Sequence, residues 1–144
     1  TMQQNPTYTD VVAEVEHFLQ NAAERAIAAG IAEQNIIIDP GIGFGKRLEH
    51  NIALIRSIPR FKALGFPVLL GVSRKSMLGL IAEQNGFQLP VEERLVASVT
   101  ANLIGMHVGA DIVRVHDVAE TLQSIAVARA LGFLGDDFTE KVPL

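Results

Sequence analysis

The sequence predicts an α/β fold in which a parallel sheet grows from successive strand–loop–helix units. Three observations carry that prediction. The runs Ile36-Ile37-Ile38, Val68-Leu69-Leu70 and Ile112-Val113 are apolar without alternation, the pattern of strands covered on both faces. Each run ends in glycines or polar residues and is followed by apolar residues at helical spacing. The strand exits fall near residues 39, 73 and 115, so the repeat is one βα unit of about 35–40 residues, in pattern and not in sequence identity.

The elements follow in order. Over residues 7–29, Val11, Val12, Val15, Phe18, Leu19, Ala22 and Ala26 recur at helical spacing, with Thr9 as the expected N-cap and Gly30 as the stop. Ile36 to Asp39 is the first strand, and Pro40-Gly41-Ile42-Gly43-Phe44-Gly45 breaks it. A helix runs from Leu48 to about Leu64, interrupted near Pro59. Pro67 to Val72 is the second strand, followed by Ser73-Arg74-Lys75-Ser76 and a short helix around Met77–Ala82. Gly86 to Pro90 is a loop. Pro90 suits the first turn of a helix reaching about His107, with Glu92 and Glu93 near its positive end. Asp111 to Val115 is the third strand, then His116-Asp117 and a helix from Val118 to about Leu131; Gly135 to Leu144 reads as surface. Three parallel strands are too few to close a barrel of eight, and the long helix before the first strand implies another strand upstream. The expectation is part of a barrel.

Composition narrows the function. A chain of 144 residues, 49% apolar and 19% charged, suits one domain with a buried core. Twelve basic against 16 acidic residues, net −4 with no basic stripe, exclude an electrostatic footprint for nucleic acid. Absence of cysteine excludes disulfides and thiolate metal sites. No apolar run approaches the roughly 20 residues of a bilayer span, so a membrane partner is not expected and a cytoplasmic location is.

The polar residues at the strand exits are the candidates for chemistry, because those ends share one rim of a parallel sheet. Asp39, ending an isoleucine run, can offer both oxygens to adjacent N–H and NH₂ groups of a flat heterocycle; it equally suits a cap or a turn. Gly41, Gly43 and Gly45 permit a tight turn or close backbone approach, but match neither the dinucleotide fingerprint nor a Walker loop. Ser73, Arg74 and Lys75 place a hydroxyl and two cations just beyond a strand, as solvated surface or as an anion site. Arg114 interrupts Ile112-Val113-x-Val115, and His116 points the same way two residues on. Together they can grip a diphosphate, or Arg114 can pair with Asp111 or Asp117. Phe44 is either a core plug or an exposed aromatic wall. His17, His50 and His107 read as structural, with no metal-ligand spacing.

Ile-Ile-Asp-Pro-Gly-Ile-Gly-Phe-Gly-Lys (37–46), Leu-Leu-Gly-Val-Ser-Arg-Lys-Ser-Met-Leu-Gly (69–79) and Ile-Val-Arg-Val-His-Asp-Val (112–118) resemble, in order and spacing, the last three strand-exit motifs of the dihydropteroate synthase family. Thr1-Met2-Gln3 resembles the end of that family's fifth-strand loop. The resemblance implies a TIM-type (β/α)₈ barrel, with residues 1–144 as its C-terminal part, strands six to eight with their helices. It implies that Asp39 binds the pterin's pyrimidine edge, with Gly43 lining the pocket and Lys75 reaching the ring's oxygen and nitrogen side. Phe44 would pack on p-aminobenzoate, and Ser73 with Arg74 would hold its carboxylate. Arg114 would cover the pterin face and, with His116, bind the leaving diphosphate. The implied reaction joins hydroxymethyl-dihydropterin diphosphate to p-aminobenzoate, with Mg²⁺ on the phosphates held by upstream residues and none in this chain. A homodimer is implied for the intact enzyme. A non-catalytic pterin-binding fragment or half of a split enzyme is one alternative. The other is a methyltetrahydrofolate–corrinoid methyltransferase barrel, which Ser-Arg-Lys and Arg-x-His argue against because it has no diphosphate to bind.

Overall fold

A computed structural model describes residues 7–135. The likeness at Thr1-Met2-Gln3 and the tail beyond Gly135 lie outside the described residues. Helix α1 (Val11–Ala28) opens at Asp10, not Thr9. Asp10 sits extended and its carboxylate accepts from the free N–H groups of Val12 and Ala13, both at 3.0 Å. An anionic cap satisfies two orphan donors and complements the helix dipole, which a threonine one residue earlier cannot do. The helix stops as expected, with the Ile31 N–H returning to Ala26 O at 3.1 Å around Gly30.

Three parallel segments lie side by side in sequence order. Ile38 bridges Val68, and β1 (Leu69–Leu70) pairs with β2 (Ile112–Val113). The ladder continues to the exits, where the Arg114 N–H donates to Leu70 O at 2.9 Å. Helices α2 (Leu48–Arg56) and α3 (Ile58–Lys62) meet at Ser57, with Pro59 in the first turn of α3 where its missing N–H costs nothing. Helix α4 spans Ser76–Gln84. The helix expected to start at Pro90 is divided into a 3₁₀ turn (Val91–Glu93) and α5 (Leu95–His107). Arg94 stands at the division and donates to Leu89 O at 3.0 Å and to Arg74 O at 3.1 Å. Helix α6 (Val118–Ala130) closes the third unit.

The core lies between the sheet and one layer of helices. Val68, Leu70 and Val72 are fully buried with Leu54, Ile58 and Phe61 of α2 and α3. Gly105 of α5 packs so tightly on the sheet that a Cβ there would stand 2.0 Å from Leu70 Cδ2. The expectation of strands covered on both faces holds for residues 68–72, none of them exposed, and is corrected for the two flanking strands: Ile37 is 52% exposed and Ile112 36%. Among the described residues the helices pack on one face, so residues 112, 114 and 116 alternate on the open one. At the entry side, Asp111 accepts from the Val68 N–H at 2.9 Å and pairs with Lys62.

Candidate active site

The first exit loop is shaped by Asp39 and glycines. One Asp39 oxygen accepts from the Gly41 N–H at 2.8 Å; the other stands 3.4 Å from Arg114 Nη2. Asp39 is thus both turn residue and partner of a cation from the neighbouring strand. Side chains bond several of the loop's backbone groups. Lys46 Nζ donates to Gly41 O and Phe44 O, each at 3.0 Å, and Lys75 Nζ donates to Ile42 O. The Gly43 N–H donates to Asn51 Oδ1 at 2.7 Å, Asn51 Nδ2 donates to Arg47 O at 2.9 Å, and the Tyr8 hydroxyl donates to Gly45 O at 3.2 Å. Gly43 adopts φ +82°, which favours glycine, and the absent Cβ leaves room for Lys75, whose Cδ would lie 2.9 Å from one. Phe44 is 55% exposed with Lys75 Nζ 4.1 Å from its ring centroid, which makes it a wall and not a plug.

The second loop begins with a non-glycine residue in the left-handed region, Arg74 at φ +57°. Three groups hold it there. Its N–H donates to Ser98 Oγ at 2.8 Å, its carbonyl accepts from Arg94, and its guanidinium forks onto Asp117, with Nε–Oδ2 at 3.0 Å. Hydrogen bonding across this pair lowers the Asp117 carboxyl below its ordinary range and raises Arg74. The left-handed turn aims Lys75 back over the first loop. Burial lowers the Lys75 amine below the usual lysine value; Asp39 opposes that, while Arg114 and Lys46 add to it.

The third exit brings Arg114 and His116. Gly71 lets Arg114 lie across β1, since a Cβ would stand 2.9 Å from Nη2. Arg114 pairs with neither expected partner: Asp111 is engaged with Lys62 and Asp117 with Arg74, leaving Asp39. Ser73, expected as an open ligand, is only 5% exposed. Its Oγ accepts from the His116 N–H at 3.2 Å and lies 3.0 Å from His116 Nδ1. Gly71, Ser73, Lys75, Arg114, Val115 and His116 line a cavity of about 130 Å³. A hollow of about 320 Å³ lies on the other side of Asp39, between Lys46 and α1, and two more, of about 650 and 600 Å³, lie against α4 to α6 and include none of Asp39, Lys75, Arg114 or His116.

Asp39, Gly43, Phe44, Lys75, Arg114 and His116 therefore share one rim, with Ser73 beneath it and Arg74 held at its edge. Lys46, Asn51 and Ser98 were missed. Asn51 and Ser98 occupy core registers of their helices, between Leu48 and Leu54 in one and beside Asn102 and Gly105 in the other. A polar residue on an apolar stripe was the available signal. Among the described residues, no three His, Asp or Glu converge to hold a metal ion, and His107 stacks on Phe133 away from the rim.

Parallel units that gather an acid, cations and an aromatic wall at their exits have the make-up of a ligand site of an α/β protein. Residues 1–116 match the family of pterin binding enzymes, and the chain belongs to that family. It is 52% identical over 136 residues to the dihydropteroate synthase of Neisseria meningitidis serogroup B, covering 92% of this chain and 46% of that protein. Dihydropteroate synthase from Stenotrophomonas maltophilia superposes with a TM-score of 0.85 at 45% identity, over 92% of this chain and 48% of that one. The Xanthomonas albilineans enzyme, solved in complex with 7,8-dihydropteroate, superposes at 0.82 and 43% identity, over 90% of this chain and 48% of that one. The chain spans about half the length of the curated relatives it matches.

Proposed function

We propose that the protein is a dihydropteroate synthase. It condenses 6-hydroxymethyl-7,8-dihydropterin diphosphate with p-aminobenzoate to give 7,8-dihydropteroate and diphosphate, and residues 1–144 supply the last three βα units of its barrel. The observation that carries this is the convergence of Asp39, Lys75 and Arg114, from three strand exits, with His116 beside them.

In this scheme the C–O bond to diphosphate breaks and the aryl amine forms the new C–N bond, losing a proton. Departing negative charge needs fixed donors, which Arg114 and His116 supply. Asp39 accepts from the pterin's N–H and NH₂ edge, exchanging Arg114 for the ligand, and Lys75 leaves Ile42 O for the ring's polar side. Gly43 keeps the first loop close enough to line the pocket. Phe44 packs on the aryl ring. Arg74 retains its Nη1 edge for the carboxylate, and Ser73 supports the rim from beneath through its bonds to His116. Mg²⁺ would ride on the diphosphate, held by residues outside this chain; the described residues offer that region cations and no carboxylate cluster. Among the described residues no helix is long and apolar enough to cross a membrane, and a cytoplasmic enzyme fits that. A homodimer is proposed for the intact enzyme, consistent with the apolar side chains of Val127 and Leu131, 59% and 79% exposed.

The test is incubation of the protein, in its full coding length, with p-aminobenzoate and the pterin diphosphate. Formation of 7,8-dihydropteroate is expected. Pterin binding without turnover would favour a binding fragment, and methyl transfer to a cobalt cofactor would overturn the proposal.

A further inference from the structure

We infer that Ser73 is a positioning residue that fixes the tautomer and orientation of His116, so that His116 always presents Nε2–H toward the cavity. The inference deepens the proposed diphosphate site and rests on that proposal only for its consequence, not for its geometry.

Ser73 Oγ meets His116 twice. The backbone N–H of His116 donates to it at 3.2 Å, which occupies an oxygen lone pair. The ring Nδ1 lies 3.0 Å from the same oxygen. A serine hydroxyl carries one proton, and this one is 5% exposed, with no other acceptor bonded to it among the described residues. If Nδ1 carried the proton of a neutral ring, the hydroxyl proton would be buried without a partner, which is costly. Donation from Oγ to Nδ1 resolves both groups at once and leaves the proton on Nε2. If the ring is protonated, Nδ1–H donates to Oγ and Nε2 still carries a proton. In either charge state the atom left for the cavity is a donor.

The placement has a structural cause. Ser73 leaves β1 and His116 leaves β2, strands paired in parallel register at Leu69–Ile112 and Leu70–Val113. Ser73 is also tied from behind, because its neighbour Arg74 is held by Ser98, Arg94 and Asp117. The loop that carries the hydroxyl is therefore braced before any ligand arrives. The imidazole above it shares the cavity wall with Arg114 and Lys75, where an acceptor nitrogen would repel phosphate oxygens and a donor would bind them.

The test reads the tautomer directly, by two-bond ¹H–¹⁵N correlation on histidine-labelled protein, assigned by loss of the signal in His116→Ala. Wild type is expected to show Nε2–H with Nδ1 as acceptor; Nδ1–H in the neutral ring would overturn the inference. Ser73→Ala is expected to give mixed tautomers and to weaken inorganic diphosphate binding by about twofold, as the fraction of rings that present Nε2–H falls to about half. Ser73→Thr, which keeps the hydroxyl, is expected to restore both. A folded Ser73→Ala with unchanged tautomer and affinity would overturn it. If the tautomer depends on Ser73 while wild type binds no diphosphate, the positioning role stands and the functional proposal fails.

Discussion

At the scale of single residues, Arg114 and Lys75 carry the strongest chemical expectations. Arg114 has a side chain 60% exposed and one long ion pair, so Arg114→Ala should leave the fold intact by circular dichroism. Turnover should nevertheless fall by about 10²–10³-fold, as when a transition-state donor is removed. Wild-type-like turnover would strip the residue of its role. His116→Ala should weaken diphosphate binding by calorimetry, and unchanged affinity would contradict its assignment. Lys75 gives a pH dependence of definite sign. Burial lowers its amine below the ordinary lysine value and Asp39 works against that shift, so the cation disappears as pH rises through the lowered value. The kcat/KM for the pterin diphosphate should therefore fall on the alkaline side, and Asp39→Asn should move that limb to lower pH. A limb that stays in place would remove the coupling.

The residue types of the site were legible in the sequence, but their partners were not. For Arg114 the sequence left open a diphosphate or an acid of its own third unit, Asp111 or Asp117. Arg114 reaches Asp39, 75 residues away, because Arg74 has turned through the left-handed region and taken Asp117. That choice depends on a loop conformation set by Ser98 and Arg94, which arrive from a later helix. Ser73 followed the same rule: a hydroxyl at a strand exit is visible in sequence, but its burial under His116 depends on register between strands 43 residues apart.

At the scale of elements, the first loop holds its shape without a ladder, and Asn51 is its internal brace. Its amide joins Gly43 to Arg47 O and is buried, at 3% exposure. Asn51→Ala should cost about 1–3 kcal/mol by urea unfolding, since a buried amide's two side-chain hydrogen bonds to the loop are lost. It should also raise KM for p-aminobenzoate, because Phe44 rides on that loop. Stability unchanged within error would show that the brace is dispensable. Helix α5 makes a second demand. Gly105→Ala drives a methyl into Leu70, which is fully buried and cannot swing aside, and should destabilise by about 1–3 kcal/mol. Helix boundaries were legible where apolar periodicity ended in glycine or proline, as at Gly30 and Pro59. The division at Arg94 was not, because Leu89 O and Arg74 O draw its side chain from outside the local sequence.

At the scale of the whole molecule, the three βα units place their exits together, and this was readable from three apolar runs ending in polar residues. The open face of the sheet was not readable. Ile37 and Ile112 are as apolar as any buried strand residue, and what covers them is a matter of which other strands and side chains share the sheet's far side. In a barrel those residues face inward, below the rim that Asp39, Lys75 and Arg114 occupy. The proposed function stands on that common rim, where strand ends separated along the chain would hold one bicyclic ring between them. Its most direct test is a crystal structure of the full-length protein with 7,8-dihydropteroate. The predicted result is the pterin's pyrimidine edge donating to the Asp39 carboxylate at about 2.7–3.2 Å, with the Arg114 guanidinium against the ring face. Product bound away from Asp39, or with Arg114 still paired to an empty Asp39, would contradict it.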